Sequence, residues 1–272
     1  MSSGPVVLVS GGTSGIGLEV VRGLAAAGCL VFELSRRDHG PKIGGVMHVQ
    51  ADVADEERVK QAVEEIAAAE GRIDILVNCA GFGISGAFEF NSDAEARRQM
   101  AVNVFGMANL IRAVVPHMRE QNWGRIVNVS SVAAETPIPF QSWYSASKAA
   151  INSLTMALAN ELKPFGIVVT AVMPGDIRTG FTAARRKQTE GDDIYHGAIS
   201  RSVAKMEHDE ENGMDPRVVA RLICRLCLQP KVKKPLYTVG ALYKFFVFLA
   251  RFLPKRLVNF ILGKMYAYAY SA

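Results

Sequence analysis

The chain has 272 residues, 49% of them hydrophobic and 21% charged, which suits a folded domain with a large buried core and argues against a disordered or fibrous protein. The net charge of +5 hides an asymmetry: residues 216–272 carry eleven Lys/Arg and no Asp/Glu, leaving residues 1–215 with 20 basic and 26 acidic side chains, a net of −6. An acidic body with a basic tail excludes a general nucleic-acid binder and directs attention to what anionic partner the tail meets.

The opening "MSSGPVVLVSGG" lacks a cationic stretch ahead of a short apolar run, so the expected location is the reducing cytoplasm. Short β-branched runs then alternate with helical-period segments. Strands are expected at 6–10, 30–34, 45–49, 74–78, 125–130, 167–172 and 236–240, and helices at 16–27, 55–69, 93–119, 142–163 and 216–228. Several strands read as continuous apolar runs, as they do when helices cover both faces of a parallel sheet. The order predicts an α/β, doubly wound parallel sheet. Residues 1–240 read as one Rossmann-like domain, with 176–215 a polar insert or lid on the substrate side and 241–272 a basic, apolar helical extension.

The first strand runs into "SGGTSGIG" (10–17), where Gly11, Gly15 and Gly17 permit a tight turn and a close approach of backbone N–H groups to a pyrophosphate. The following helix offers its N-terminus to the phosphates. The second strand ends "FELSRR": Glu33 comes early for a ribose contact, whereas Ser35, Arg36 and Arg37 follow at the strand end. Paired arginines there suit a 2′-phosphate, so NADP(H) is expected in preference to NAD(H), unless both are simply solvated loop charges.

"WYSASKAA" (143–150) sets Tyr144 and Lys148 four apart, on one face of a helix. Thirteen residues before the tyrosine, "VNVSS" ends a strand with Ser130 and Ser131, at the carboxyl edge where ligands bind such sheets. A phenol with a pKa near ~10 is a poor acid or base at neutral pH, and a nearby ammonium favours its charged form. With these residues the sequence resembles the short-chain dehydrogenase/reductase superfamily. "SGGTSGIG" is similar to its TGxxxGxG, "NCAG" (78–81) to its NNAG, "YSASK" (144–148) to its YxxxK, and "PGDIRT" (174–179) to its PGxIxT segment. Ser10 and Cys79 depart from the pattern conservatively, and the resemblance covers about residues 5–180.

The resemblance implies seven strands in the order 3-2-1-4-5-6-7 and a catalytic set of Asn103, Ser131, Tyr144 and Lys148. Tyr144 would be the acid/base, Lys148 would bind the nicotinamide ribose and lower the tyrosine pKa, Ser131 would orient the substrate oxygen and Asn103 would hold a relay water. It places the cofactor on Gly11, Thr13, Ser14, Gly15, Ile16 and Gly17 in the first turn, with Ser35, Arg36 and Arg37 beyond the second strand. Asp52 and Val53 would meet the adenine, and Asn78, Ala80 and Gly81 the adenosine ribose. Tyr144, Lys148, Pro174, Gly175, Ile177 and Thr179 would complete that set. The implied activity is hydride exchange between a nicotinamide and a hydroxyl or carbonyl carbon. A nucleotide sensor without activity is the other class, disfavoured because all four catalytic positions are filled.

Phe82, Ile84, Phe88, Ile138, Phe140 and Trp143 lie in segments expected to bound the substrate pocket. They suggest a hydrophobic substrate of steroid, retinoid or long-chain acyl type, and the chain looks most like the steroid- and retinol-dehydrogenase branch. A β-ketoacyl or sugar substrate is the alternative. A homodimer or tetramer is expected as in the family, with no nucleic acid. Cys224 and Cys227 fall in an amphipathic pattern and read as buried structural thiols; the scattered histidines give no metal spacing. Finally, "YKFFVFLARFLPKR" (243–256) is too short between charges to span a bilayer, its longest uncharged run being Phe245–Ala250. Pro254 should divide two helices, with Lys244, Arg251 and Lys255 in one stripe were the helix continuous. Three readings stand: a packed extension over the cleft or a subunit contact, a surface on anionic membrane, or a contact to an anionic substrate.

Overall fold

The computed structural model describes residues 4–268. The first half alternates strands and helices: β1 (Val6–Ser10), α1 (Gly15–Ala26), β2 (Leu30–Ser35), β3 (Val46–Gln50), α2 (Glu56–Glu70) and β4 (Ile75–Asn78). After a two-residue β5 (Ile84–Ser85) come α3 (Asp93–Met100), a π-helical turn (Ala101–Phe105) and α4 (Gly106–Glu120). Then follow β6 (Gly124–Val129), α5 (Ser142–Glu161) and β7 (Ile167–Met173). The expected helix at 93–119 is thus interrupted, because one extra residue is accommodated in the π turn that carries Asn103.

Seven strands pair in parallel in the order β3-β2-β1-β4-β6-β7-β9, with β9 spanning Leu236–Thr238. Leaving aside the short parallel pair that β5 makes elsewhere, this is the expected 3-2-1-4-5-6-7. Alternation along each strand divides the core. Leu8, Leu76 and Ile126 face α2 and α4 through Val59, Val63 and Leu110. Val7, Val9, Val77 and Val127 face α1 and α8 (Pro216–Leu228) through Val20, Val219 and Ile223. Each such side chain, when fully buried, contributes about 1.5–3 kcal/mol. Local interactions cap the helices. Asp55 caps α2 by accepting from the Arg58 N–H at 3.0 Å, and Gly71 closes it at φ 71°. Asp215 caps α8, with Pro216 in its first turn. Cys224 and Cys227 are free thiols on α8; Cys227 is buried, and burial pushes the Cys224 thiol up to about 11.

The polar insert contains α6 (Phe181–Ala184), β8 (Arg186–Lys187), which pairs with β5, and α7 (Ala198–Glu211). Its stem is closed: the Met214 N–H donates to the Asp176 carbonyl at 2.9 Å and the Arg178 N–H to the Met214 carbonyl at 3.0 Å. Beyond β9, α9 (Ala241–Phe252) and α10 (Lys255–Tyr266) are divided by Pro254. The break starts a new helix at Lys255, so the single cationic stripe of a continuous helix does not form. Val247 and Ala250 turn inward and are buried, and α10 rests on α7, where the Lys205 ammonium sits 5.5 Å from the Tyr266 ring centre.

Candidate active site

The carboxyl ends of β1, β2, β4, β6 and β7 open into a cleft of about 530 Å³. On one side the turn after β1 is forced by its glycines. Gly11 has φ 70°, and a Cβ on Gly17 would lie 2.2 Å from the Gly11 carbonyl oxygen. Ser10 Oγ accepts from the Ala80 N–H at 3.3 Å, so the serine preserves the hydroxyl that ties β1 to β4. Ser14 caps α1 with no side-chain hydrogen bond, and the first turn of that helix carries no acid. A cradle shaped for close approach, facing a helix N-terminus without a side-chain cap, fits the pyrophosphate of a dinucleotide.

Glu33 is fully buried. Its Oε1 accepts from the Gly12 N–H at 3.0 Å, and its Oε2 lies 2.6 Å from His48 Nδ1. It therefore braces the glycine turn and presents no carboxylate to a ribose. Ser35, Arg36 and Arg37 line the adjoining part of the cleft. Both arginines are exposed, and neither enters an ion pair among the described residues, while their backbone is held by His48 and Gln50. Asp52 and Val53 complete this end.

The other side carries the residues expected to be catalytic. Ser131 caps a short helical turn by accepting from the Ala133 N–H at 3.1 Å, and its hydroxyl favours the phenolate form of Tyr144. Ser130 faces away and donates to the Lys148 carbonyl at 3.1 Å. Lys148 donates from Nζ to the Val129 carbonyl at 2.9 Å, its ammonium 5.6 Å from the Tyr144 ring centre. Burial pushes the Tyr144 phenol up to about 12, partly opposed by the Ser131 hydroxyl, and pulls the Lys148 ammonium down to about 8. Burial thus outweighs the depression expected of the tyrosine, which sits in the cleft as a protonated acid. Asn103 is held by Phe82: its Oδ1 accepts from the Phe82 N–H at 3.1 Å, and its Nδ2 donates to the Phe82 carbonyl at 3.0 Å and to Ser147 Oγ at 3.1 Å.

The cleft brings together every expected cofactor residue except Asn78. Asn78 points into the sheet, donating to Asn128 Oδ1 at 2.9 Å, and Asn128 in turn donates to Thr155 Oγ1 at 2.9 Å. The wall at that place comes from Cys79, Ala80 and Gly81, with the Cys79 thiol pushed up to about 12 by burial. Of the expected substrate walls, Phe82 and Ile138 line the cleft. Ile84 is buried in β5, Phe140 packs edge-on to Tyr195 at 5.7 Å, and Trp143 stacks on the exposed Phe88 at 5.5 Å, so none of these three lines the cleft. Sequence reading missed Phe181, whose ring is 5.7 Å from that of Tyr144, and also Ala184, Glu210 and Asp176. Glu210 pairs with Arg185 and accepts from the Thr182 hydroxyl at 2.5 Å.

A doubly wound parallel sheet with a glycine turn at one end of its cleft and Ser131, Tyr144 and Lys148 at the other defines a dinucleotide-dependent oxidoreductase. Comparison with known proteins narrows the class. Residues 5–190 match the family model described as short chain dehydrogenase. The chain is 37% identical over 267 residues to a 3-ketodihydrosphingosine reductase from Bacteroides thetaiotaomicron, covering 96% of this chain and 98% of that protein. A crystal structure of a short-chain dehydrogenase from Streptomyces avermitilis superposes with a TM-score of 0.82 at 32% identity, over 97% of this chain and 96% of the other. A 3-ketoacyl-(acyl-carrier-protein) reductase from Brucella melitensis complexed with NADH gives 0.73 at 28% identity, over 88% and 98%. The chain belongs to the short-chain dehydrogenase/reductase family, and it is an NAD(P)-dependent oxidoreductase acting on hydroxyl and keto groups.

Proposed function

We propose that this enzyme reduces the keto group of a long-chain, apolar substrate at the expense of NADPH, with a 3-keto sphingoid base as the substrate class. The observation that carries the reading is the acid group Tyr144 set between Ser131 and the apolar ring of Phe181. Identity to a 3-ketodihydrosphingosine reductase along nearly its whole length supports the substrate class over the steroids and retinoids first expected. Arg36 and Arg37, exposed on the cleft and without ion-pair partners among the described residues, support the 2′-phosphate.

The dinucleotide, when bound, supplies the hydride. The chain's residues hold the acceptor and move the proton. The hydroxyls of Ser131 and Tyr144 converge on the carbonyl oxygen and fix its orientation. As negative charge builds on that oxygen, Tyr144 gives up its proton and the Lys148 ammonium stabilises the phenolate left behind. Asn103, pinned to the Phe82 backbone, keeps the wall next to Lys148 in place. Phe82, Ile138 and Phe181 exclude bulk water and take the apolar chain. The proposal includes a homodimer or tetramer, supported by Phe105, Leu154 and Met156, which stay exposed on the α4 and α5 side.

The test is NADPH oxidation against 3-ketodihydrosphingosine, a 3-ketoacyl thioester, retinal and a steroid ketone. The sphingoid ketone should give the highest kcat/KM, and NADPH should exceed NADH. Preference for the thioester would favour the 3-ketoacyl reading, and preference for a steroid would overturn the substrate class.

A further inference from the structure

The outward sides of α9 and α10 carry bulky apolar groups that the rest of the molecule leaves bare. Phe245, Phe248 and Phe252 are 58%, 60% and 72% exposed, and Phe260 and Ile261 on α10 are 52% and 43% exposed. The spacing makes this a face. At about 100° per residue, Phe245, Phe248 and Phe252 lie on the side of α9 away from Val247 and Ala250, which are buried against the body. The inner side is anchored as well. The Tyr243 ring sits on Gly175, where an added Cβ would meet it at 2.3 Å, and Tyr266 packs with the cluster around Ile199 and Met206. The bare face is therefore a fixed surface held on the domain.

Charge says what covers it. Lys244, Arg251, Lys255 and Arg256 are exposed along its margin, and none of the four has an ion-pair partner among the described residues. Residues 216–272 contain no acid at all. A second copy laid face to face would bring two such acid-free basic margins together, with no carboxylate to neutralise either. A layer of anionic headgroups neutralises them while the phenylalanine rings enter the boundary beneath. No helix among the described residues is long and apolar enough to cross a membrane, so the contact is with the surface.

We propose that the α9–α10 pair docks this enzyme on an anionic lipid surface. Through Tyr243 the docking helix also reaches Gly175 and Asp176, which line the active-site cleft, so the lipid contact and the substrate cleft share a wall. The proposal stands whichever ketone is reduced, and vesicle binding is read without turnover.

The experiment is co-sedimentation of the full chain with phosphatidylcholine vesicles that contain or lack phosphatidylglycerol, at rising salt, beside sedimentation velocity of the free protein. The wild type should bind the anionic vesicles and be released by salt, with little binding to phosphatidylcholine alone. Phe248→Ser/Phe252→Ser should lose binding, and Lys244→Gln/Arg251→Gln should bind about thirty-fold more weakly. Both variants should oxidise NADPH with a water-soluble ketone at the wild-type rate, which shows that they are folded. A wild type that ignores anionic vesicles at low salt overturns the proposal. So does a Phe248→Ser/Phe252→Ser protein that binds them normally, or one whose only change is dissociation of an oligomer.

Discussion

Tyr243 donates its phenolic hydrogen to Asp176 Oδ2 at 2.5 Å, so the first helix of the C-terminal pair fastens the loop that leaves β7 for the cleft. Burial raises the Asp176 pKa, and the Tyr243 hydrogen bond pulls it back down by favouring the carboxylate. In Tyr243→Phe the ring remains on Gly175 and only this bond is lost. The expected cost is about 1–3 kcal/mol, seen as a fall in Tm of about 2–4 °C per kcal/mol. The sign of the pH dependence follows. Loss of the bond raises the folded pKa further, so the deficit is present while Asp176 is ionised and narrows as pH falls through its folded pKa. Thermal melts of both proteins at neutral and acidic pH check it; a deficit that grows in acid would contradict it.

Arg185 and Glu210 pin the insert from inside, their side chains only 1% and 14% exposed. Arg185→Met should leave the Glu210 carboxylate buried with the Thr182 hydroxyl as its remaining donor, at a cost of about 3–5 kcal/mol. Limited proteolysis should then cut faster between residues 181 and 211, with KM rising more than kcat falls. Arg185→Met/Glu210→Leu should recover most of the stability, because no unpaired charge remains. Equal destabilisation of the single and double variants would show that packing matters there and the ion pair does not.

If the proposed 2′-phosphate contact holds, Arg36→Ala/Arg37→Ala should weaken NADPH binding by about ten- to a hundredfold and leave NADH binding nearly unchanged. Fluorescence titration with each dinucleotide measures this. Equal loss for both would mean that the arginines only support the loop.

In the mechanism proposed, ketone reduction needs Tyr144 protonated and Lys148 charged. With the phenol at about 12 and the ammonium at about 8, the lysine sets the limit. Then kcat/KM for reduction should be level at neutral pH and fall as pH rises through about 8. The same lysine shapes stability. Its folded pKa is depressed, so its contribution is full above the unfolded lysine value and is lost as pH falls through about 8. A reduction profile that climbs above that pH would contradict the assignment.

Much of this was legible because the informative residues are close in sequence. The glycine turn, the Tyr144–Lys148 spacing and the alternation of strands and helices are local patterns, as is Pro254 between two apolar helices. The corrections fall where contacts are long-range. Asn78 carries a motif position, yet its partner is Asn128, fifty residues on, which draws it into the sheet. Trp143 stands next to Tyr144, but a helix turns consecutive residues to different sides, and it stacks on Phe88. Glu33 looks misplaced for a ribose contact because it holds Gly12 and His48. Nothing periodic joins Arg185 to Glu210 or Asp176 to Tyr243, and the π turn at Asn103 adds one residue that apolar spacing does not register.

The most direct measurement replaces Tyr144 by Phe and follows NADPH binding and ketone reduction in the same preparation. The ring still packs on Phe181, so NADPH affinity should stay within a few-fold of wild type while kcat falls by about 10²–10⁴. A Tyr144→Phe enzyme that turns over at near the wild-type rate would contradict the account.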